Sequence, residues 1–130
     1  DLGIEPELAN VVASAGDARR LIDAMASPRL RVVLDPANLF EVAGPAERRR
    51  LVEEAIDLLA ADIVMAHAKD RDAAGGFTVA GKGVIDFPHF LARLHAAGFD
   101  GPLVTHGLAE GEAVGVATYL AGILPEARHG

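Results

Sequence analysis

Cysteine is missing from the chain altogether. That excludes a disulfide scaffold and any thiolate metal site, and it leaves the redox compartment undetermined. An excess of positive charge is missing too: 12 Lys and Arg face 19 Asp and Glu, for a formal charge of −7. Without a basic patch there is little to attract a phosphate backbone, so a nucleic-acid partner is not expected. The one dense basic run, Arg48-Arg49-Arg50, lies on an expected helix between Glu47 and Glu53-Glu54 and reads as a solvated face. No apolar run approaches the ~20 residues of a membrane span, and no signal peptide is visible. The expectation is a cytoplasmic protein without a membrane partner. Linkers and low-complexity stretches are lacking as well, which leaves residues 1–130 as a single domain.

What the chain has is apolar sequence in a regular order. Hydrophobic residues make up 51% of it, enough for a real core. Short apolar runs alternate with helical patterns four times. A strand over Leu2 to Glu5 comes first. Ser14 with Asp17 three residues on then forms a capping-box variant, followed by an apolar stripe of Ala18, Leu21, Ile22 and Met25 that Ser27-Pro28 ends. The second strand is Leu30 to Asp35. Its unbroken Val-Val-Leu run suits a parallel strand covered on both faces. Gly44-Pro45 opens a second helix with Leu51, Val52, Ala55, Ile56 and Leu59 on one side. A third strand runs from Ile63 to His67, and a long polar connection follows it through Gly81-Lys82-Gly83. Asp86 caps a third helix whose apolar face is Phe87, Phe90, Leu91 and Leu94, and Gly98 closes it. The last unit is a strand from Leu103 to His106 and a helix from Glu112 to Leu124. Strands and helices alternating at this spacing predict an α/β fold with a parallel sheet.

One potential metal ligand ends each apolar run: Glu5, Asp35, His67 and His106. They are about 30 to 40 residues apart, one strand–helix repeat each. A parallel sheet brings all its strand C-termini to one end, so these four residues are expected to meet there. Four βα units are half of an eightfold barrel, which takes about 250 residues. The chain also opens on Asp1 and enters a strand at once, which points to a preceding segment. A C-terminal half-barrel of a larger (β/α)8 domain is therefore expected. A half-barrel has open strand edges, which invite self-association or pairing with a missing N-terminal half. A small open parallel sheet is the alternative fold.

Five motifs stand in order: Ile4-Glu5-Pro6-Glu7, Val33-Leu34-Asp35-Pro36-Ala37-Asn38, His67-Ala68-Lys69-Asp70, Gly81-Lys82-Gly83 with Asp86-Phe87, and Gly98-Phe99-Asp100-Gly101-Pro102. From Gly3 to about Leu124 the chain resembles the xylose isomerase-like TIM barrels, in particular the sugar phosphate isomerase/epimerase group, aligned as strands five to eight. The resemblance implies a metal held by a glutamate, an aspartate, a histidine and a second glutamate. Glu5, Asp35 and His67 match the first three, and His106 stands where the family usually has glutamate. Asn38 stands where many members carry a histidine. Two carboxylates with two imidazoles suit manganese, zinc, iron or cobalt, while magnesium fits less well.

The implied chemistry is proton transfer beside a carbonyl in a small sugar or sugar phosphate. Glu5 would serve as one acid–base residue. His106 replaces the other, and a metal-bound imidazole is a poor proton acceptor, so a two-glutamate mechanism is not expected to operate unchanged. Lys69 would stabilise an enediolate or hold an anionic group, with Asp70 orienting it. Asn38, Lys69 and Lys82 are the expected substrate contacts. A dehydratase of a polyol or keto-sugar, or a catalytically degenerate ligand-binding barrel, is the alternative. A repair endonuclease fits less well, because Asn38 removes one of that branch's histidines. His89 and His95 are expected to face solvent and His129 to lie in a tail, none of them as a ligand.

Overall fold

The computed structural model describes residues 1–125. β1 (Leu2–Ile4) leads to α1 (Ala15–Met25), β2 (Leu30–Leu34) to α2 (Pro45–Leu59), and β3 (Ile63–His67) to α3 (Phe87–Ala96). Two further strands, β4 (Lys69–Arg71) and β5 (Phe77–Val79), are inserted between β3 and α3; β6 (Leu103–Val104) and α4 (Ala113–Ile123) complete the series. β1, β2, β3 and β6 form one sheet in that order, and every pairing is parallel. A parallel neighbour needs a crossover, and a helix supplies each one. All four strands therefore end on the same side of the molecule. The expected α/β architecture is met. No helix of the described residues is long and apolar enough to cross a membrane.

Local chemistry sets the helix starts. The Ser14 hydroxyl accepts the Asp17 backbone N–H at 3.1 Å, and the Asp17 carboxylate accepts the Ala13 N–H at 3.2 Å. Pro45 begins α2 behind Gly44, and Asp86 accepts the His89 N–H at 3.0 Å to begin α3. Leu30, Val32 and Leu34 are buried with Ile56, Leu59, Phe87, Phe90 and Leu94 in one core. Arg31 and Val33, between them on β2, are only half-buried. This alternation corrects the expectation of a strand covered on both faces: helices pack one face and the other stays partly open.

Three strands end earlier than their apolar runs suggest. Glu5 lies just past β1, Asp35 just past β2, and Thr105-His106 past β6. Asp35 leaves the ladder because it caps a 3₁₀ turn over Pro36–Asn38, accepting the Ala37 N–H at 2.9 Å, and Pro36 has no N–H to continue the strand. The long polar connection is a second difference. Much of it is an antiparallel hairpin, with Lys69 opposite Val79, Asp70 opposite Thr78 and Arg71 opposite Phe77. Asp72 holds the turn by accepting the N–H groups of Ala74 and Gly76, each at 2.9 Å. In the four-stranded sheet β1 pairs only with β2 and β6 only with β3, so both edges are open among the described residues.

Candidate active site

The shared strand ends bring the expected residues together around one oxygen atom. Asp35 is fully buried. Its Oδ1 is taken by the Ala37 N–H, while its Oδ2 is buried without a hydrogen-bond partner among the described residues. Three nitrogens converge on that Oδ2: Lys69 Nζ at 3.4 Å, His67 Nδ1 at 3.6 Å and His106 Nε2 at 3.6 Å. The two imidazole rings meet edge-on with centroids 4.6 Å apart. Asp35, His67 and His106 each offer a ligand atom, all within 4.8 Å of one another. Glu5 joins from the side, its Oε1 lying 3.1 Å from His67 Nδ1.

These spacings fit a divalent cation. Atoms bound about 2.1 Å from one ion lie roughly 3.0 to 3.5 Å apart, close to the 3.1 and 3.6 Å separations seen here. A buried carboxylate oxygen with no donor is costly unless a charge faces it. The Lys69 ammonium answers part of that need, and a metal held by Asp35, His67 and His106, with Glu5 in reach, would answer the rest.

Asn38 links the two sides of the cluster. It is buried at 1% exposure. Its Nδ2 donates to Glu5 Oε1 at 2.9 Å, and its Oδ1 accepts from Lys69 Nζ at 2.9 Å. Both ends of the amide are thus engaged, and the two partners fix which way it points. Lys69 is not a surface ion pair, because its side chain is only 15% exposed. Asp70 does not orient it, contrary to expectation. Successive strand residues face opposite ways, and Asp70 turns to the other side. There its two oxygens accept the backbone N–H groups of Arg71, Gly81, Gly83 and Ile85 at 2.9–3.1 Å.

Lys82 is exposed and lines a cavity whose walls include none of Glu5, Asp35, His67 and His106. His89 departs from expectation: its side chain is 14% exposed and lies 3.1 Å from Glu53 Oε1, because α3 packs against α2 there. His95 is likewise half-buried rather than solvent-facing, on the wall of a cavity with Leu91 and Phe99. His129 lies outside the described residues. Two residues were not foreseen. The Phe77 ring carries Lys69 Nζ at 4.0 Å and the Arg71 guanidinium at 4.1 Å from its centroid. Buried Arg71 also donates to the carbonyls of Ala37, at 2.8 Å, and Gly75, tying the hairpin to the Asp35 turn. The alternation of His67, Lys69 and Arg71 along one strand face was the available signal.

The family model of the xylose isomerase-like TIM barrels matches residues 1–117. Among curated proteins none matches the chain in sequence. Solved structures resemble it in fold. A xylose isomerase domain protein from Planctomyces limnophilus superposes with a TM-score of 0.71 at 22% identity, covering 92% of this chain and 43% of that one. The D-psicose 3-epimerase of Clostridium cellulolyticum H10, solved with D-tagatose, gives 0.69 at 15% identity, covering 95% and 49%. The 3-keto-D-glucoside 4-epimerase of E. coli gives 0.57 at 22% identity, covering 92% and 43%. The chain thus spans less than half the length of each of these three structures, and its four βα units correspond to part of their barrels.

Proposed function

The chain belongs to the xylose isomerase-like TIM barrel family, and from that premise we propose that it carries half the active site of a divalent-metal-dependent isomerase or epimerase. The substrate class is a small sugar or sugar phosphate, and the reaction is proton transfer next to a carbonyl. The observation that supports this most is the unpartnered, buried Oδ2 of Asp35 with two imidazole nitrogens at 3.6 Å. In this proposal residues 1–130 are one unit of a larger barrel, paired with an N-terminal half or with another copy.

A bound manganese, zinc, iron or cobalt ion would polarise the carbonyl and acidify the adjacent C–H bond. Asp35, His67 and His106 would hold it, with Glu5 as the fourth ligand. The Glu5 carboxylate would take the proton at the carbon beside the carbonyl. Its side chain is 32% exposed, and its Oε1 is steadied by Asn38. Lys69, kept in place by Asn38 and Phe77, would stabilise negative charge as it develops on the carbonyl oxygen. Lys82, on the wall of a separate cavity, takes no part in this proposal.

His106 favours a second reading. An epimerase needs a proton acceptor on each face of its substrate, whereas elimination needs one base and a donor for the departing hydroxyl. With an imidazole in place of the second carboxylate, a polyol or keto-sugar dehydratase would use the same first step. A degenerate barrel without turnover is the remaining alternative. Solvent-deuterium uptake at the substrate α-carbon tests the reading in the assembled protein. Glu5→Gln is expected to lower exchange by about 100-fold, and His106→Glu to raise it on the opposite face. Exchange indifferent to Glu5→Gln would contradict the assignment.

A further inference from the structure

Lys69 stands beside the central carboxylate without bonding to it. Its Nζ lies 3.4 Å from Asp35 Oδ2, about half an ångström beyond a charge-assisted hydrogen bond, and Oδ2 has no hydrogen-bond partner among the described residues. Other groups hold the ammonium in place. Asn38 Oδ1 accepts one of its protons at 2.9 Å, and the Phe77 ring centroid lies 4.0 Å from Nζ. Both anchors are themselves fixed. The Asn38 backbone N–H donates to the Asp35 carbonyl at 3.2 Å, and its side-chain amide donates to Glu5. Phe77 pairs with Arg71 across the hairpin, and the Arg71 guanidinium lies 4.1 Å from the same ring centroid.

The Lys69 charge acts in two opposite ways. Asp35 is fully buried, and a buried carboxylate without a cation beside it is costly. The ammonium supplies that cation in the metal-free chain and still leaves Oδ2 open to a ligand. The same charge opposes a metal. Glu5 and Asp35 bring two negative charges to the cluster and Lys69 offsets one of them. A divalent ion at Asp35, His67 and His106 therefore meets half the negative charge that the carboxylates alone would offer. With Asp35 fully buried and the Lys69 side chain only 15% exposed, water and salt screen that repulsion poorly. Asn38 and Phe77, not Asp35, hold the ammonium, so nothing releases it when Oδ2 takes up an ion.

We propose that Lys69 is a fixed counter-cation that sets the metal affinity of the site. It stabilises the cluster while no metal is bound, and it weakens binding so that the ion exchanges more readily than the four donors alone would allow. The inference rests on the metal-dependent reading above.

Zinc titrations of the assembled protein and of its Lys69→Met variant, read by competition with a chromogenic chelator, test it. Methionine keeps the length of the side chain and removes the charge. The variant is expected to bind zinc about tenfold tighter. In EDTA its Tm is expected to fall by several degrees, and saturating zinc to close that gap. Lys69→Gln keeps a donor for Asn38 Oδ1 and is expected to tighten binding in the same direction, which covers a methionine variant that fails to fold. A purely structural lysine would give the opposite sign, because loosening Asn38 would misplace Glu5 and weaken binding. Zinc affinity equal to or below the parent's in the neutral variants overturns the proposal and leaves the metal site standing. Zinc held by the variants but not measurably by the parent supports it. Zinc bound by none of the three proteins defeats the metal reading and this inference with it.

Discussion

Asp35 divides two tasks between its two oxygens. Oδ1 caps the turn that carries Asn38, and Oδ2 faces the histidines. A single residue thus fixes both the local backbone and the charge at the centre of the cluster. Asn38 shows the same economy by holding Glu5 with one end and Lys69 with the other. The choice of Glu5, Asp35, His67 and His106 was legible because each closes an apolar run. The bridging role of Asn38 was not, since sequence gives no direction to an amide. Tyr119 is the chain's only tyrosine, and tryptophan is absent, so its ionisation can be followed alone by ultraviolet absorbance. Burial, with the negative charges of Asp70 and Asp86 nearby, raises its folded pKa above that of free tyrosine, so its contribution to stability is full below the free value and is lost as pH rises through the folded one. The expected midpoint lies above that of free tyrosine; a midpoint at or below it would contradict that burial.

The β4–β5 hairpin and the loop after it are the elements that shape the site. Asp70 gathers four backbone N–H groups around a fully buried carboxylate and draws residues 81–85 against β4. The Val84 N–H to Arg71 carbonyl bond, at 2.7 Å, closes the same strap. Gly83 is required there, because a Cβ would stand 2.0 Å from the Arg71 carbonyl oxygen and 2.4 Å from Asp70 Oδ1. Gly83→Ala is expected to destabilise the chain by about 1–3 kcal/mol, read as a fall of several degrees in Tm; an unchanged Tm would show that the strap is not as tight as described. Long regular elements were legible here and this one was not. Ser14, Pro45 and Asp86 announce their helices through capping chemistry. The hairpin strands have three residues each and a polar, glycine-rich turn, so no periodicity marks them.

As a whole the molecule is built on a four-stranded parallel sheet whose two edges are unpaired among the described residues. On one of those edges, β1, Leu2 is a large apolar side chain left exposed. Such edges template pairing with another chain. In sedimentation velocity the isolated chain is expected to self-associate, or to form a defined complex with an N-terminal half-barrel; a monodisperse monomer indifferent to such a partner would contradict this. The parallel order followed directly from the strand–helix repeat. The one-sided covering of β2 did not, because an unbroken Val-Val-Leu run reads alike whether one face is packed or two. If the four strand ends build a metal site, elemental analysis of the gel-filtered protein beside its Asp35→Asn variant reads it out. Asparagine keeps an acceptor for the Ala37 N–H and removes the charge at Oδ2, so the fold should survive. About one manganese, zinc, iron or cobalt ion per chain is expected in the parent and far less in the variant; equal metal in both, or none in the parent barrel when complete and saturated, would contradict the account.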